Sequence, residues 1–285
     1  KGSTVQFNNY GTTRHKTLRH GLAWCRSRCD GAWASWGMAT DFRLYHSNAL
    51  DLLAELLADT LRQPATSTDS VLTPDTILIP QVAMRRWLQA TLAQKFGVAA
   101  NLHFLTPGEF VAQALAANVG PSHDDLDMDT LHWRVYAALG DAALLALPAL
   151  AAIARHLHAG DAVRRWALAG ELANSFNKYA AWRRDWLLHW EEGAESNDAQ
   201  AILWRAVAMG RQHRARRIGD YLGTFANTNA LPCGLPTRLF AFATLNVSPD
   251  VLRVMATQAK VGTLHFYLPT PSREYWGDLR SLGAR

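Results

Sequence analysis

The dipeptide Gly-Lys occurs nowhere in these 285 residues. Its absence removes the G-x-x-x-x-G-K-[ST] loop, whose backbone N–H groups cradle nucleotide phosphates. Long apolar runs are missing as well. No 18 consecutive apolar residues occur, so no hydrophobic membrane-spanning helix is expected. The longest apolar stretch, residues 142–154, is short and Ala-rich and reads as a buried helix. Cysteine is scarce: Cys25 and Cys29 have C-x3-C spacing with no second pair to complete a zinc site, and Cys233 stands alone. Nothing suggests a disulfide framework, so a reducing cytoplasm is the default compartment.

An excess of charge is missing too, despite a pI near 9.3. Residues 1–37 hold six of the 29 basic groups and one of the 24 acidic ones. The other 248 residues hold 23 of each, so any nucleic-acid surface must come from local clustering. The first segment has no apolar signal region and no strand or helix periodicity. It is expected to be a disordered, non-native upstream extension with Met38 as the initiator; a basic DNA-binding arm is the alternative. Hydrophobic residues make up 49% and charged residues 19%, an ordinary globular composition sufficient for one large domain or two modest ones.

What is present alternates. Residues 42–46 read as a strand that runs through Ser47-Asn48-Ala49 into a helix with Leu50, Leu53, Leu56, Leu57 and Leu61 on one face. Residues 63–74 form a Ser/Thr/Pro loop. A strand follows at 76–79, a helix at 84–96 carrying Trp87, Leu88, Leu92 and Phe96, Gly97 as its C-cap, and a third strand at 102–105. Thr106-Pro107-Gly108-Glu109 starts a helix with Thr at the cap and Glu three residues on. Helical periodicity then takes over, near 109–118, 129–139, 142–157, 161–181, 199–212 and 216–227. Strands resume at 238–244 and 262–268, around a helix near 249–259. The pattern predicts an α/β parallel-sheet domain, residues 38–105 plus 236–285, with a helical insertion at 106–235. Five strands are few for such a domain, and the chain is expected to be a fragment, or a truncated reading frame, of something longer.

Candidate chemistry is thin. The strand at 238–244 ends Ala243-Thr244-Leu245-Asn246, without the acidic pair of a magnesium-holding strand. Asp124, Asp125, Asp127 and Asp129 cluster beside no Lys and read as a solvated linker rather than a nuclease site. His156 and His158 fall on different helix faces, so a metal pair is not expected. Trp182, Trp186 and Trp190 recur at i, i+4, i+8 and read as a core stripe rather than a base-stacking platform. Residues 164–217 hold ten Arg and Lys against six acids, a modest surplus whose bland reading is a solvated face. Arg85-Arg86, at the start of a helix that follows a strand, is better placed to meet phosphate or base edges.

Five stretches carry more than periodicity: Phe42-Arg-Leu-Tyr-His-Ser-Asn48, Trp87-Leu-Gln with Gln94-Lys-Phe-Gly-Val-Ala-Ala-Asn101, Trp186-Leu with Trp190-Glu191, Leu231-Pro-Cys-Gly-Leu-Pro236, and Tyr275-Trp-Gly-Asp278. In this order they resemble the gamma subunit of exodeoxyribonuclease V, the RecC-type partner in RecBCD-type helicase–nucleases. The resemblance runs from Phe42 to Asp278 and covers only the N-terminal portion of that much longer subunit. It implies a degenerate superfamily-one helicase-like (P-loop NTPase-like) domain with a helical insert and no ATP-site motifs. It also implies a non-catalytic DNA-binding subunit that guides the 3′ strand and scans for a Chi-type signal in double-strand-break repair. Implied partners are single-stranded and forked duplex DNA and the beta (RecB-type) and alpha (RecD-type) subunits, which use the ATP and Mg2+; no cofactor is implied in this chain.

The resemblance further implies DNA contacts at Arg86, Thr106, Asn174, Asn177, Lys178, Arg183 and Arg214. Arg183 and Arg214 are retained from the family pattern. Pro80, Val82 and Arg86 stand where that pattern has polar Gln and Thr, and Thr106 and Ala112 replace larger apolar groups. Asn174, Ser175, Asn177 and Lys178 stand where it is more acidic. Because base-reading contacts each carry about 1–3 kcal/mol, such changes imply a different recognised sequence, or none. The rival readings are a free-standing ATP-dependent helicase or nuclease and an inactive truncated fragment.

Overall fold

The computed structural model describes residues 22–23 (backbone only), 42–63, 73–121, 126–157, 161–226 and 228–270. The chain divides into two compact units. One comprises residues 1–114, 225–247 and 255–285, and the other residues 115–224 with 248–254. The helix that begins at Pro107 contributes its first two turns to the sheet-bearing unit.

That unit is built on β2 (Phe42–Ser47), β3 (Asp75–Leu78), β4 (Leu102–Leu105), β5 (Arg238–Phe242) and β6 (Thr263–Pro269). These five strands are mutually parallel in the order β2-β6-β5-β3-β4, with Phe42 opposite Leu264, Arg238 opposite Thr263, Thr76 opposite Leu239 and Asp75 opposite Leu102. Of the segment 1–37, two residues are described: β1 (Leu22–Ala23) pairs antiparallel with the end of β2. The rest of that segment, with Cys25, Cys29 and the initiator candidate Met38, lies outside the described residues, as does Tyr275-Trp-Gly-Asp278.

A parallel sheet is covered on both faces, so its inner strands read as unbroken apolar runs. Leu239, Phe240, Ala241 and Phe242 of β5 are all buried. Helix α1 (Leu50–Leu61) contributes Leu53, Ala54, Leu57 and Ala58 to the core, and α2 (Val82–Phe96) contributes Leu88 and Leu92. Helix α2 begins two residues earlier than its periodicity suggests and ends at Gly97 with φ +81°, as a left-handed cap requires. Gly262 is needed for another reason: a Cβ there would lie 2.0 Å from the carbonyl oxygen of Thr237, which accepts the N–H of Thr263. At the opposite end of β5 from its apolar run, Arg238 forks onto Asp75 of β3 (Nε to Oδ1 2.9 Å, Nη2 to Oδ2 2.8 Å) and donates to the carbonyl of Gln63 (2.6 Å). One guanidinium thus ties two strands and the end of α1.

The other unit is helical. After α3 (Pro107–Asn118) come α4 (Met128–Ala138), the short α5 (Ala142–Leu145), a 3-10 turn at Pro148–Leu150, α6 (Ala151–His156), α7 (Ala162–Trp182), α8 (Arg184–Glu191), α9 (Ala199–Ala208), α10 (Arg214–Phe225) and α11 (Pro249–Ala256). Pro148, which lacks a donor N–H, breaks the predicted 142–157 helix into pieces. The core of this unit gathers Leu131, Val135, Phe176, Leu187, Trp190, Leu203, Trp204 and Val207. Its aspartates have local work. Asp127, Asp141, Asp161 and Asp198 each accept first-turn N–H groups of α4, α5, α7 and α9, at 2.7–3.3 Å. Asp127, expected in a solvated linker, is therefore a helix cap, and its carboxyl is held below its usual pKa by the N–H of Thr130. Asp124 and Asp125 lie outside the described residues, as does His158. Among the described residues no cluster could hold a metal ion and no helix is long and apolar enough to cross a membrane.

His265 on β6 is 2% exposed, between the rings of Tyr45 (6.2 Å, stacked) and Phe240 (5.0 Å). Burial, reinforced by the charges of Arg43 and Arg238, pushes its imidazole down to about 3. The folded protein therefore keeps His265 neutral where the unfolded chain protonates it. Its contribution is complete above the ordinary imidazole value of 6.5 and is lost as pH falls toward 3, with a slope of up to about 1.4 kcal/mol per pH unit. Urea midpoints at pH 7 and pH 4.5 should fall less for His265→Phe than for the unchanged chain; an equal fall would show that His265 is not an acid-labile element.

Candidate nucleic-acid interface

The carboxyl ends of parallel strands are where open α/β sheets place ligands. Here β2 gives way to α1 through only Asn48 and Ala49. The Ser47 hydroxyl accepts the Ala49 N–H (3.0 Å), and the Ser47 carbonyl accepts the N–H of Thr270 (2.8 Å). A two-residue turn with neither residue glycine has no ring of free N–H groups of the kind that cradles phosphate. At the same edge β5 runs into Ala243, at φ +55°, and Thr244, which is buried.

Two of the residues singled out in the sequence lie on this unit. Arg86 is exposed in the first turns of α2, while Arg85 beside it lies over the ring of Phe104 (5.7 Å). Thr106 is the cap of α3. Its hydroxyl donates to Glu109 (2.9 Å) and accepts the Glu109 N–H (3.2 Å), and the Glu109 carboxylate accepts the Thr106 N–H (2.6 Å). This reciprocal cap leaves the hydroxyl one lone pair for any outside donor, and it holds the Glu109 carboxyl below its usual pKa.

The others lie on the helical unit. Helix α7 buries Ala169, Ala173, Phe176 and Ala180 at alternating steps of four and three. Asn174, Asn177 and Lys178 are consequently exposed together on the outer side, and Trp182, one turn beyond Lys178, is 49% exposed. The helix stops at Arg183 (φ −138°, ψ 41°), whose N–H closes α7 onto the Tyr179 carbonyl (2.7 Å) and whose carbonyl accepts the N–H of Trp186. The Arg183 guanidinium lies 5.4 Å from the centroid of the Trp186 ring. The stripe Trp182, Trp186, Trp190 is thus not one helical face. Only Trp190 is core (7% exposed); Trp186, like Trp182, is 49% exposed. The reading of all three as core is corrected, because the break at Arg183 rotates α8 out of register with α7.

Arg214 begins α10 and is exposed, on a different element from the α7 group. Its neighbours are committed: Arg216 binds the Glu191 carboxylate and the Gly210 carbonyl, and Arg217 is buried against the Gly120 carbonyl. Glu191 is the hub of this end of the unit. It accepts from Trp204 Nε1 (2.9 Å), His213 Nε2 (2.6 Å) and Arg216. The second nitrogen of His213 faces the Arg216 N–H (3.4 Å), which suits a ring carrying its proton on Nε2. Burial drives the Glu191 carboxyl upward, but the three donors together outweigh it and the net shift is downward.

Residues 42–284 match the RecC N-terminal domain family. The chain belongs to that family. It is 29% identical over 260 residues to the RecBCD enzyme subunit RecC of Escherichia coli (strain K12), covering 84% of this chain and 22% of that protein. The RecC subunits of Haemophilus influenzae and Mycolicibacterium smegmatis are 24% and 27% identical, over 85% and 83% of this chain and 24% and 22% of theirs. The chain therefore spans less than a quarter of the length of these relatives.

Within this RecC N-terminal domain one aromatic group escaped the sequence reading. His132, Trp133 and Tyr136 of α4 surround Trp166 of α7, with ring centroids 3.9, 4.6 and 5.6 Å from it, and Arg165 covers Tyr136 (4.1 Å). Trp133 is 60% exposed. The partners are some 30 residues apart in sequence, and no local pattern announces them. The Glu191 hub was likewise invisible, since it joins three elements. Glu191→Ala would strand His213 and Arg216 without their acceptor and should lower stability by about 3 kcal/mol. A urea denaturation midpoint within error of the unchanged chain would remove Glu191 from that role.

Proposed function

We propose that this chain acts as the N-terminal part of a non-catalytic DNA-binding subunit in a RecBCD-type helicase–nuclease. In this reading it guides the 3′-ended strand and scans it for a Chi-type signal during double-strand-break repair. Membership of the RecC N-terminal domain family over residues 42–284 carries the reading. The relatives named RecBCD enzyme subunit RecC support the assembly; in this reading RecB-type and RecD-type partners consume the ATP and Mg2+. The compartment in this reading is the bacterial cytoplasm.

Two features of the chain support it. The parallel sheet, with strands on both sides of a long helical connection, suits a helicase-like scaffold whose phosphate loop has been replaced by the turn at Ser47-Asn48-Ala49. The outer face of α7 and the junction after it present amides and cations to solvent: Asn174, Asn177, Lys178 and Arg183. Amides hydrogen-bond base edges and cations meet phosphates, so these four suit a strand that is both held and inspected. Arg214 and Arg86 supply further exposed cations on other elements. Thr106 serves its helix first and contributes least.

Fluorescence anisotropy with a labelled single-stranded oligonucleotide tests this. At low salt, Lys178→Ala combined with Arg183→Ala should weaken binding about tenfold and make the salt dependence shallower by about 1.4 in log–log slope, the loss of two phosphate contacts. Binding and slope unchanged in the double variant would remove α7 from the track. ATP hydrolysis by the isolated chain would overturn the non-catalytic reading.

A further inference from the structure

The turn between α8 and α9 folds back over an aromatic floor. Gly193 (φ +97°) and Glu195 (φ +51°) take left-handed backbone, the Ala194 N–H donates to the His189 carbonyl (3.0 Å), and the Asp198 N–H donates to the Glu195 carbonyl (3.0 Å). This encloses an open pocket of about 390 Å³ lined by Trp186, His189, Trp190, Ala194, Glu195 and Asp198. Two indoles, 6.4 Å apart between centroids, supply its apolar surface, and two carboxylates supply its charge.

No ion pair engages those carboxylates among the described residues, and the cations Arg184 of α8 and Arg205 of α9 are engaged elsewhere. Arg205 donates to the carbonyls of Trp190 (3.0 Å) and Ala194 (2.8 Å), and Arg184 pairs with Asp185 (3.2 Å) and Asp250 (3.5 Å). Glu195 has no side-chain partner among the described residues. One Asp198 oxygen caps α9, accepting from Gln200 and Ala201. The Trp186 ring already receives one guanidinium, that of Arg183, so the ring is disposed to bind cations.

We propose that this pocket binds a cationic side chain, arginine or lysine, presented by a basic segment of a partner protein. An ammonium or guanidinium over an indole with carboxylates in reach gains from both interactions, whereas a phosphate backbone is repelled by Glu195 and Asp198. The site adjoins the proposed DNA contact at Arg183 through the Trp186 ring, but it takes a ligand of the opposite charge.

The probe is a fluorescein-labelled Gly-Arg-Gly-Arg-Gly peptide, read by anisotropy against the full chain at low ionic strength. The arginine peptide binds saturably and its glutamate counterpart does not. Glu195→Gln with Asp198→Asn, where asparagine still caps α9, raises Kd about tenfold, and Trp186→Leu raises it about threefold. Asp59→Asn with Glu171→Gln, which removes two exposed carboxylates from other helices, leaves Kd within about twofold. Absence of saturable binding, equal binding of the glutamate peptide, or an equal loss in the Asp59/Glu171 control would overturn the proposal. Circular-dichroism melts of all variants separate lost binding from lost folding.

Discussion

Two parallel strands cannot be joined by a tight turn; each parallel pairing demands a crossover of a dozen or more residues. That constraint organises the whole chain. β2 reaches β3 through α1, and β3 reaches β4 through α2. β4 reaches β5 only after residues 106–237, so most of the helical unit is one crossover connection grown large, and its last helix, α11, belongs to the next connection, from β5 to β6. The sheet tolerates this because its two halves are locked by side chains at the register, above all by Arg238 on Asp75. The helical unit is accordingly free to carry exposed tryptophans, amides and cations that a short connection has no room for.

The sheet was legible because its signals are local. Apolar runs of four to seven residues, bounded by Pro80, Thr106 or Gly262, announce strands wherever the burial on both faces is complete. The cap at Thr106–Glu109 and the left-handed Gly97 were legible for the same reason: each is fixed by neighbours within three or four residues. Helix breaks were less so. Periodicity ran across Pro148 and left 182–198 unassigned, although α8 occupies half of that stretch. The stop at Arg183 has no glycine or proline to mark it; the change of direction follows from burying Leu187 and Trp190, a tertiary preference.

The candidate interface shows the same divide. Asn174, Asn177 and Lys178 fall on one outer face, as their i, i+3, i+4 spacing dictates, while their distance from Arg86 and Thr106 in the chain corresponds to different compact units. The acidic loop before α4 looked inert by composition, yet Asp127 in it seats the N-terminus of a helix, as Asp141, Asp161 and Asp198 do elsewhere, and Glu195 and Asp198 edge an aromatic pocket. Composition reports the sign of a charge but not what the surrounding backbone asks of it.

The separation of 163 residues between Asp75 and Arg238 has a consequence for synthesis on the ribosome. β3 is translated long before its central neighbour β5 exists, and at roughly 5–20 residues per second that interval lasts on the order of ten seconds. Throughout it the nascent β3 offers an apolar edge with unmatched backbone donors and acceptors, the kind of edge that recruits foreign strands. During the lag that edge is the part of the nascent sheet that chaperone cover would have to shield.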